Sequence, residues 1–86
     1  MPYDVVLGGT AEEDVAAAPA VNRKQILRAI YERLTVAPLD FGKPLRHSLS
    51  GIRSLRVGDW RIAYIVEGQT VTVTHITLRR DAYKGW

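Results

Sequence analysis

Eighty-six residues without a cysteine leave room for one domain, residues 1–86, and exclude a disulfide framework, thiolate catalysis and a cysteine-based zinc site. Two distant histidines, no acidic ligand cluster and no apolar run of about 18 residues exclude a structural metal and a membrane span, and predict a cytoplasmic protein without a cofactor. The formal charge of +3 is lopsided, −2 up to Gly42 (four Lys/Arg, six Asp/Glu) and +5 beyond it (eight and three), so the second half is the one to face a polyanion, most economically nucleic acid.

In chain order, Val5, Val6 and Leu7 mark a short strand over 3–7, ended by Gly8-Gly9. Thr10-Ala11-Glu12-Glu13 has the form of a capping box, with Thr10 as N-cap and Glu13 at the third helical position. The short helix that follows has only Val15 and alanines to bury, and Pro19 stops or restarts it. A second helix is better supported. Asn22 and Gln25 suit its cap, and Ile26, Leu27, Ile30, Tyr31 and Leu34 recur at helical spacing as core contacts. Pro38 ends it. Residues 38–52 read as a connector in which Phe41, Leu45, Leu49 and Ile52 anchor the loop to the core.

The stretch over 54–64 reads as a β-hairpin with Gly58-Asp59 as its two-residue turn, Gly58 supplying the positive φ. That turn sets Val57 opposite Trp60, Arg56 opposite Arg61 and Leu55 opposite Ile62. Alternation then turns Leu55, Val57, Trp60, Ile62 and Tyr64 to one face as core residues, and Ser54, Arg56, Arg61 and Ala63 to the other. Arginines directly across a strand pair repel each other, so a chain that keeps the pair is either keeping an anion site or presenting a solvated basic surface. Glu67-Gly68-Gln69 makes a second turn into a Val/Thr-rich strand over 70–78. Its phase changes between Val71/Val73 and Ile76/Leu78. Either both faces are buried or a bulge near Thr74-His75 turns His75 and Arg79 toward the arginines, and the bulge is the reading favoured here. The order β-α-α-β-β-β predicts a small α+β domain, an antiparallel sheet with a helical pair on one face and the arginine face open.

Four stretches carry a family resemblance. Gly42-Lys43-Pro44-Leu45, then Leu49-Ser50-Gly51, then the hairpin over 55–64, and finally Arg79-Arg80-Asp81-Ala82-Tyr83 resemble, in order, the motifs of the RelE/ParE toxin family of type II toxin–antitoxin systems. The resemblance implies a cognate antitoxin as partner and one of two activities. A RelE-type toxin is a ribosome-dependent mRNA endoribonuclease in which, without a metal, the ribose 2′-hydroxyl attacks the adjacent phosphate and leaves a 2′,3′-cyclic end. A ParE-type toxin inhibits DNA gyrase and cleaves no RNA. Tyr83, four residues after Arg79, matches the RelE-type pattern, and a non-catalytic RNA-binding relic is the third reading. On the nuclease reading Arg56, Arg61 and Arg79 hold the phosphate, while Tyr83 is the base or a stacking surface and His75 is the other titratable group. Lys43, Arg46, Arg53, Arg80 and Lys84 are the expected RNA contacts. Ser54 departs from the family, standing where several RelE-type nucleases have a lysine; this weakens cleavage or shifts that role to Arg53.

Overall fold

Residues 2–45 and 51–78 are described by the computed structural model. Along them run β1 (Asp4–Leu7), α1 (Gly9–Ala17), α2 (Ala20–Ala29) prolonged by a π-helical turn (Ile30–Leu34), α3 (Pro38–Phe41), β2 (Lys43–Pro44), β3 (Arg53–Val57), β4 (Trp60–Glu67) and β5 (Thr70–Leu78). The α+β class is as expected, but the sheet has five strands in the order β1-β5-β4-β3-β2 and is mixed. β3, β4 and β5 form the antiparallel meander, whereas β1 pairs in parallel with β5, Val5 beside Val71 and Leu7 beside Val73. β5 thereby gains a partner on each side over 70–73. The connector also supplies β2, where Lys43 pairs with Ser54 and Pro44 with Arg53. Among the described residues no helix is long and apolar enough to cross a membrane.

The helices start earlier than their polar residues suggest. Gly8 is the N-cap of α1, which puts Thr10 inside the first turn with no side-chain cap bond, so the capping box is not formed. The cause is that β1 ends on a Gly8 N–H bond to the Val73 carbonyl (2.9 Å), after which the helix begins at once. Pro19, not Asn22 or Gln25, precedes α2. Arg23 then reaches back across the break, its guanidinium donating to the carbonyls of Val15, Ala16 and Ala18 at 3.0–3.2 Å and satisfying the end of α1. The buried stripe of the second helical element is Ile26, Ala29, Ile30 and Leu34. Leu27 and Tyr31 stay outside it, 41% and 74% exposed, so the covered stripe is narrower than their spacing suggests. Pro38 does not end that element. It opens α3 and is buried.

The hairpin has the expected register, with Gly58 at φ +57°. Leu55, Val57, Ile62 and Tyr64 are buried beneath the helices, and Trp60 packs against them. In β5 the bulge is real: His75 pairs with Ala63 but Val73 with Tyr64, so Thr74 is the extra residue. Two bonds hold it. The Thr74 hydroxyl donates to the Ala63 carbonyl (3.3 Å), and the Ile76 N–H, beyond the end of β1, donates to the Asp14 carboxylate of α1 (2.9 Å). Val71, Val73 and Ile76 can all be buried on one face as a result.

A second tie fastens the connector. The buried Tyr64 phenol donates to the Pro38 carbonyl (2.6 Å), and Arg53 donates to the carbonyls of Leu39 (2.8 Å) and Gly42 (2.6 Å). Gly42 lies flat on the phenol, where any Cβ would overlap the ring. Of the expected anchors, Leu45 and Ile52 are half-buried and joined by a backbone bond (2.9 Å), Phe41 is 50% exposed and Leu49 is outside the described residues.

Two stability predictions follow from these ties. Asp14→Ala strips the bulge of its acceptor and costs about 1–3 kcal/mol in urea titration, with faster exchange of the Ile76 amide, whereas Asp14→Asn keeps an acceptor and most of the stability. Gly42→Ala costs about 3 kcal/mol through overpacking. Burial also pushes the Tyr64 phenol up, against the lowering pull of Arg53. The folded chain thus prefers the neutral phenol, so this contribution is complete below about pH 10 and is lost as pH rises beyond it. Tyr64→Phe flattens that alkaline loss in a pH series of melts.

Candidate functional site

On the face of the sheet away from the helices, strand pairing lines side chains up in rows. Arg56 of β3, Arg61 of β4 and Thr77 of β5 form one row; Lys43 of β2, Ser54 of β3, Ala63 of β4 and His75 of β5 form the next. β2, unread in the sequence, is what brings Lys43 there. Phe41, Lys43, Pro44, Leu45, Ser54, Arg56 and Arg61 together line a cleft of about 310 Å³.

The electrostatics of the cleft are one-sided. Arg56 is exposed and Arg61 half-buried, and the one bond of the Arg61 guanidinium to a described residue is a long one (3.3 Å) to the Trp60 carbonyl. Among the described residues the only ion pair is Arg28–Glu32, on α2 and its π-helical extension. No described carboxylate therefore neutralises Arg56, Arg61 or Lys43. The alternative partner for Arg61, Asp81, lies outside the described residues. Two hydroxyls beside the arginines, Ser54 Oγ and Thr77 Oγ1, are closed off from solvent without a hydrogen-bond partner among the described residues. Buried polar atoms are rarely left so. Guanidinium groups without a neutralising acid are the kind of group that pairs with a phosphate or similar oxyanion.

His75 reaches this face because of the bulge. Its Nδ1 lies 3.2 Å from the Thr74 hydroxyl. That hydroxyl in turn donates to the Ala63 carbonyl.

The residues singled out in the sequence thus divide. Lys43, Arg56, Arg61 and His75 share the open face, with Ser54 between Lys43 and Ala63. Arg53 sits on the opposite face, where alternation sends it toward Tyr64 and its guanidinium is spent on the carbonyls of Leu39 and Gly42. It therefore does not share the face on which Ser54 stands in place of the family lysine. Arg46, Arg79, Arg80, Tyr83 and Lys84 lie outside the described residues. Thr77 was missed, although its position two residues beyond His75 on the shifted phase places it on this face. The aromatic wall from Phe41 had no signal, since Phe41 reads as core by composition alone.

A helix-backed mixed sheet with Lys43, Arg56 and Arg61 lining a cleft on its other face defines a small α+β protein. The chain belongs to the RelE/ParE toxins of type II toxin–antitoxin systems: the sequence model of the ParE toxin family, described as the toxin of the parDE system, matches residues 5–83. It is 32% identical over 85 residues to Toxin RelE of Mycobacterium tuberculosis (strain ATCC 25618 / H37Rv), spanning 96% of this chain and 88% of that one. Toxin RelG of the same organism is 33% identical over 86 residues, spanning 98% of this chain and 99% of the relative. Among solved structures, the toxin–antitoxin complex RelBE2 from Mycobacterium tuberculosis superposes with a TM-score of 0.85 at 31% identity, covering 92% of this chain and 100% of that chain.

If the paired arginines are kept for a ligand, removing one relieves repulsion. Arg56→Gln is expected to leave stability unchanged or raise it by about 0.5 kcal/mol in urea titration. A loss above 1 kcal/mol would mean a structural partner for Arg56.

Proposed function

We propose that this toxin is a ribosome-dependent mRNA endoribonuclease whose reaction takes place on the open sheet face. The observation that carries the reading is the pairing of Arg56 with Arg61 beside Lys43, with no described carboxylate to neutralise them. The identity to relatives named Toxin RelE and Toxin RelG supports the nuclease over the gyrase inhibitor.

The chemistry suits these groups. The RNA supplies its own nucleophile, the ribose 2′-hydroxyl, whose oxygen bonds to the adjacent phosphorus as the bond to the 5′-oxygen breaks. A proton leaves the nucleophile and another reaches the departing oxygen, so the products are a 2′,3′-cyclic phosphate and a 5′-hydroxyl. Negative charge grows on the non-bridging oxygens along the way. Guanidinium groups held on a two-residue hairpin meet that charge without reorganising, which is the largest electrostatic contribution a rigid site makes. Arginine remains protonated at neutral pH and is no base. Tyr83 and His75 are the proton-transfer candidates, and Arg79 is proposed as the third phosphate contact. Arg46, Arg80 and Lys84 are proposed, with Lys43, as contacts to the RNA backbone.

A cognate antitoxin is the proposed protein partner, as in the RelBE2 complex of the relative. Val21, Leu27 and Tyr31 on α2 and its extension are exposed and apolar, which supports that flank as its seat. The second reading, gyrase inhibition by protein binding, is favoured by the match to the ParE toxin family model.

The deciding test is incubation of purified toxin with a defined mRNA, with and without programmed ribosomes, followed by primer extension and analysis of the new ends. The nuclease reading expects ribosome-dependent cuts ending in cyclic phosphate. Intact mRNA together with inhibited gyrase supercoiling would transfer the site to the second reading.

A further inference from the structure

Around the edge of the sheet from the open cleft lies a larger groove, of about 830 Å³, between the outer surface of the second helical element and the hairpin turn. Lys24, Arg28 and Arg33 line one wall, Arg56 the other, and Glu32 is the one acid among the lining residues. Nothing in the motifs accounts for these helix cations, which read in the sequence only as solvated surface. The groove follows a gap in the sheet. β2 pairs with Arg53 and Ser54 alone, so the outer edge of β3 from 55 to 57 has no strand partner among the described residues.

The groove and the cleft meet at two places. Arg56 lines both. Arg33, in the groove, holds its guanidinium 6.0 Å above the ring of Phe41, which lines the cleft. We propose that an RNA strand held on the open face continues over the free edge of β3 into this groove, with Lys24, Arg28 and Arg33 along its phosphates. This rests on the nuclease reading of the open face. Four cations against one carboxylate give the groove the charge complement of a phosphate chain. Phe41, 50% exposed at the rim beside Arg33, offers an unpaired base an aromatic surface, which an acidic peptide would not need. Glu32 reduces the field by pairing with Arg28 and is a built-in brake on affinity.

The test uses the full chain and a single-stranded 2′-O-methyl RNA, which lacks the nucleophile and cannot be cut. Binding is followed by fluorescence anisotropy over a salt series. Lys24 and Arg28 are exposed, so Lys24→Gln/Arg28→Gln leaves the fold intact, as circular dichroism will register. Losing two phosphate contacts on a single strand lowers the log–log salt slope by about 1.4 and weakens binding about 25-fold at about 0.1 M salt. Glu32→Gln is expected to tighten binding, a gain that no folding defect mimics. Unchanged affinity and slope in the double variant, with wild-type protein binding normally, would overturn the groove and leave the open-face reading standing. Loss of poly-glutamate binding with RNA binding intact would assign the groove to an acidic protein segment instead. Failure of the wild type to bind the free RNA would overturn the groove alone, because the nuclease reading of the open face is ribosome-dependent and is decided by the cleavage test.

Discussion

The two-residue turn at Gly58-Asp59 is the constraint on which the rest depends. It sets Val57 against Trp60, and every later pairing in β3 and β4 follows from that one. Because side chains alternate, a slip of one residue would send Leu55, Ile62 and Tyr64 to solvent and bury two arginines. The apolar face thus enforces the position of the charged one. Burying Leu55, Ile62 and Tyr64 at 3% exposure or less contributes roughly 1.5–3 kcal/mol for each. Against this the Arg56–Arg61 repulsion is a fraction of a kcal/mol. A core of this size can carry the cost of a like-charged pair, which explains how a small domain sustains paired arginines on one sheet face.

Two further ties complete that face from the helix side. Asp14 accepts the Ile76 N–H where β1 has run out, and thereby steadies the bulge that turns His75 and Thr77 outward. The Tyr64 phenol, the Arg53 guanidinium and the bare Cα of Gly42 together fix the connector, so that β2 can pair with β3 and bring Lys43 into line. Arg53 is instructive here. An arginine in the middle of the basic half is a structural clamp, and its neighbour Ser54, small and uncharged, lines the cleft. Position on the pleat, not charge, decides which residue meets a ligand.

Much of this was readable from the chain. The hairpin register, its two faces and the bulge followed from alternation and turn chemistry, which are local rules. Lys43 on the arginine face, by contrast, depends on β2, a two-residue strand of lysine and proline with no β-propensity to announce it. The parallel pairing of β1 depends on which sheet edge remains open after the meander forms, a non-local matter. The caps failed for a related reason: Thr10 and Asn22 are good caps, but the strand end at Gly8 and the break at Pro19 start the helices first. Leu27 and Tyr31 had the spacing of core residues and were left outside the buried stripe of Ile26, Ala29, Ile30 and Leu34. Spacing reports a face, and only the partner surface reports how wide it is.

The account stands on the claim that Arg61 serves a phosphate and not the fold. The most direct measurement is the single-turnover rate of ribosome-dependent mRNA cleavage by Arg61→Ala beside wild type, with urea stability recorded for the same two proteins. The account predicts a rate lower by about 10²–10³ with stability unchanged or slightly raised. An undiminished rate, or a loss of activity that merely tracks a loss of stability, would contradict it.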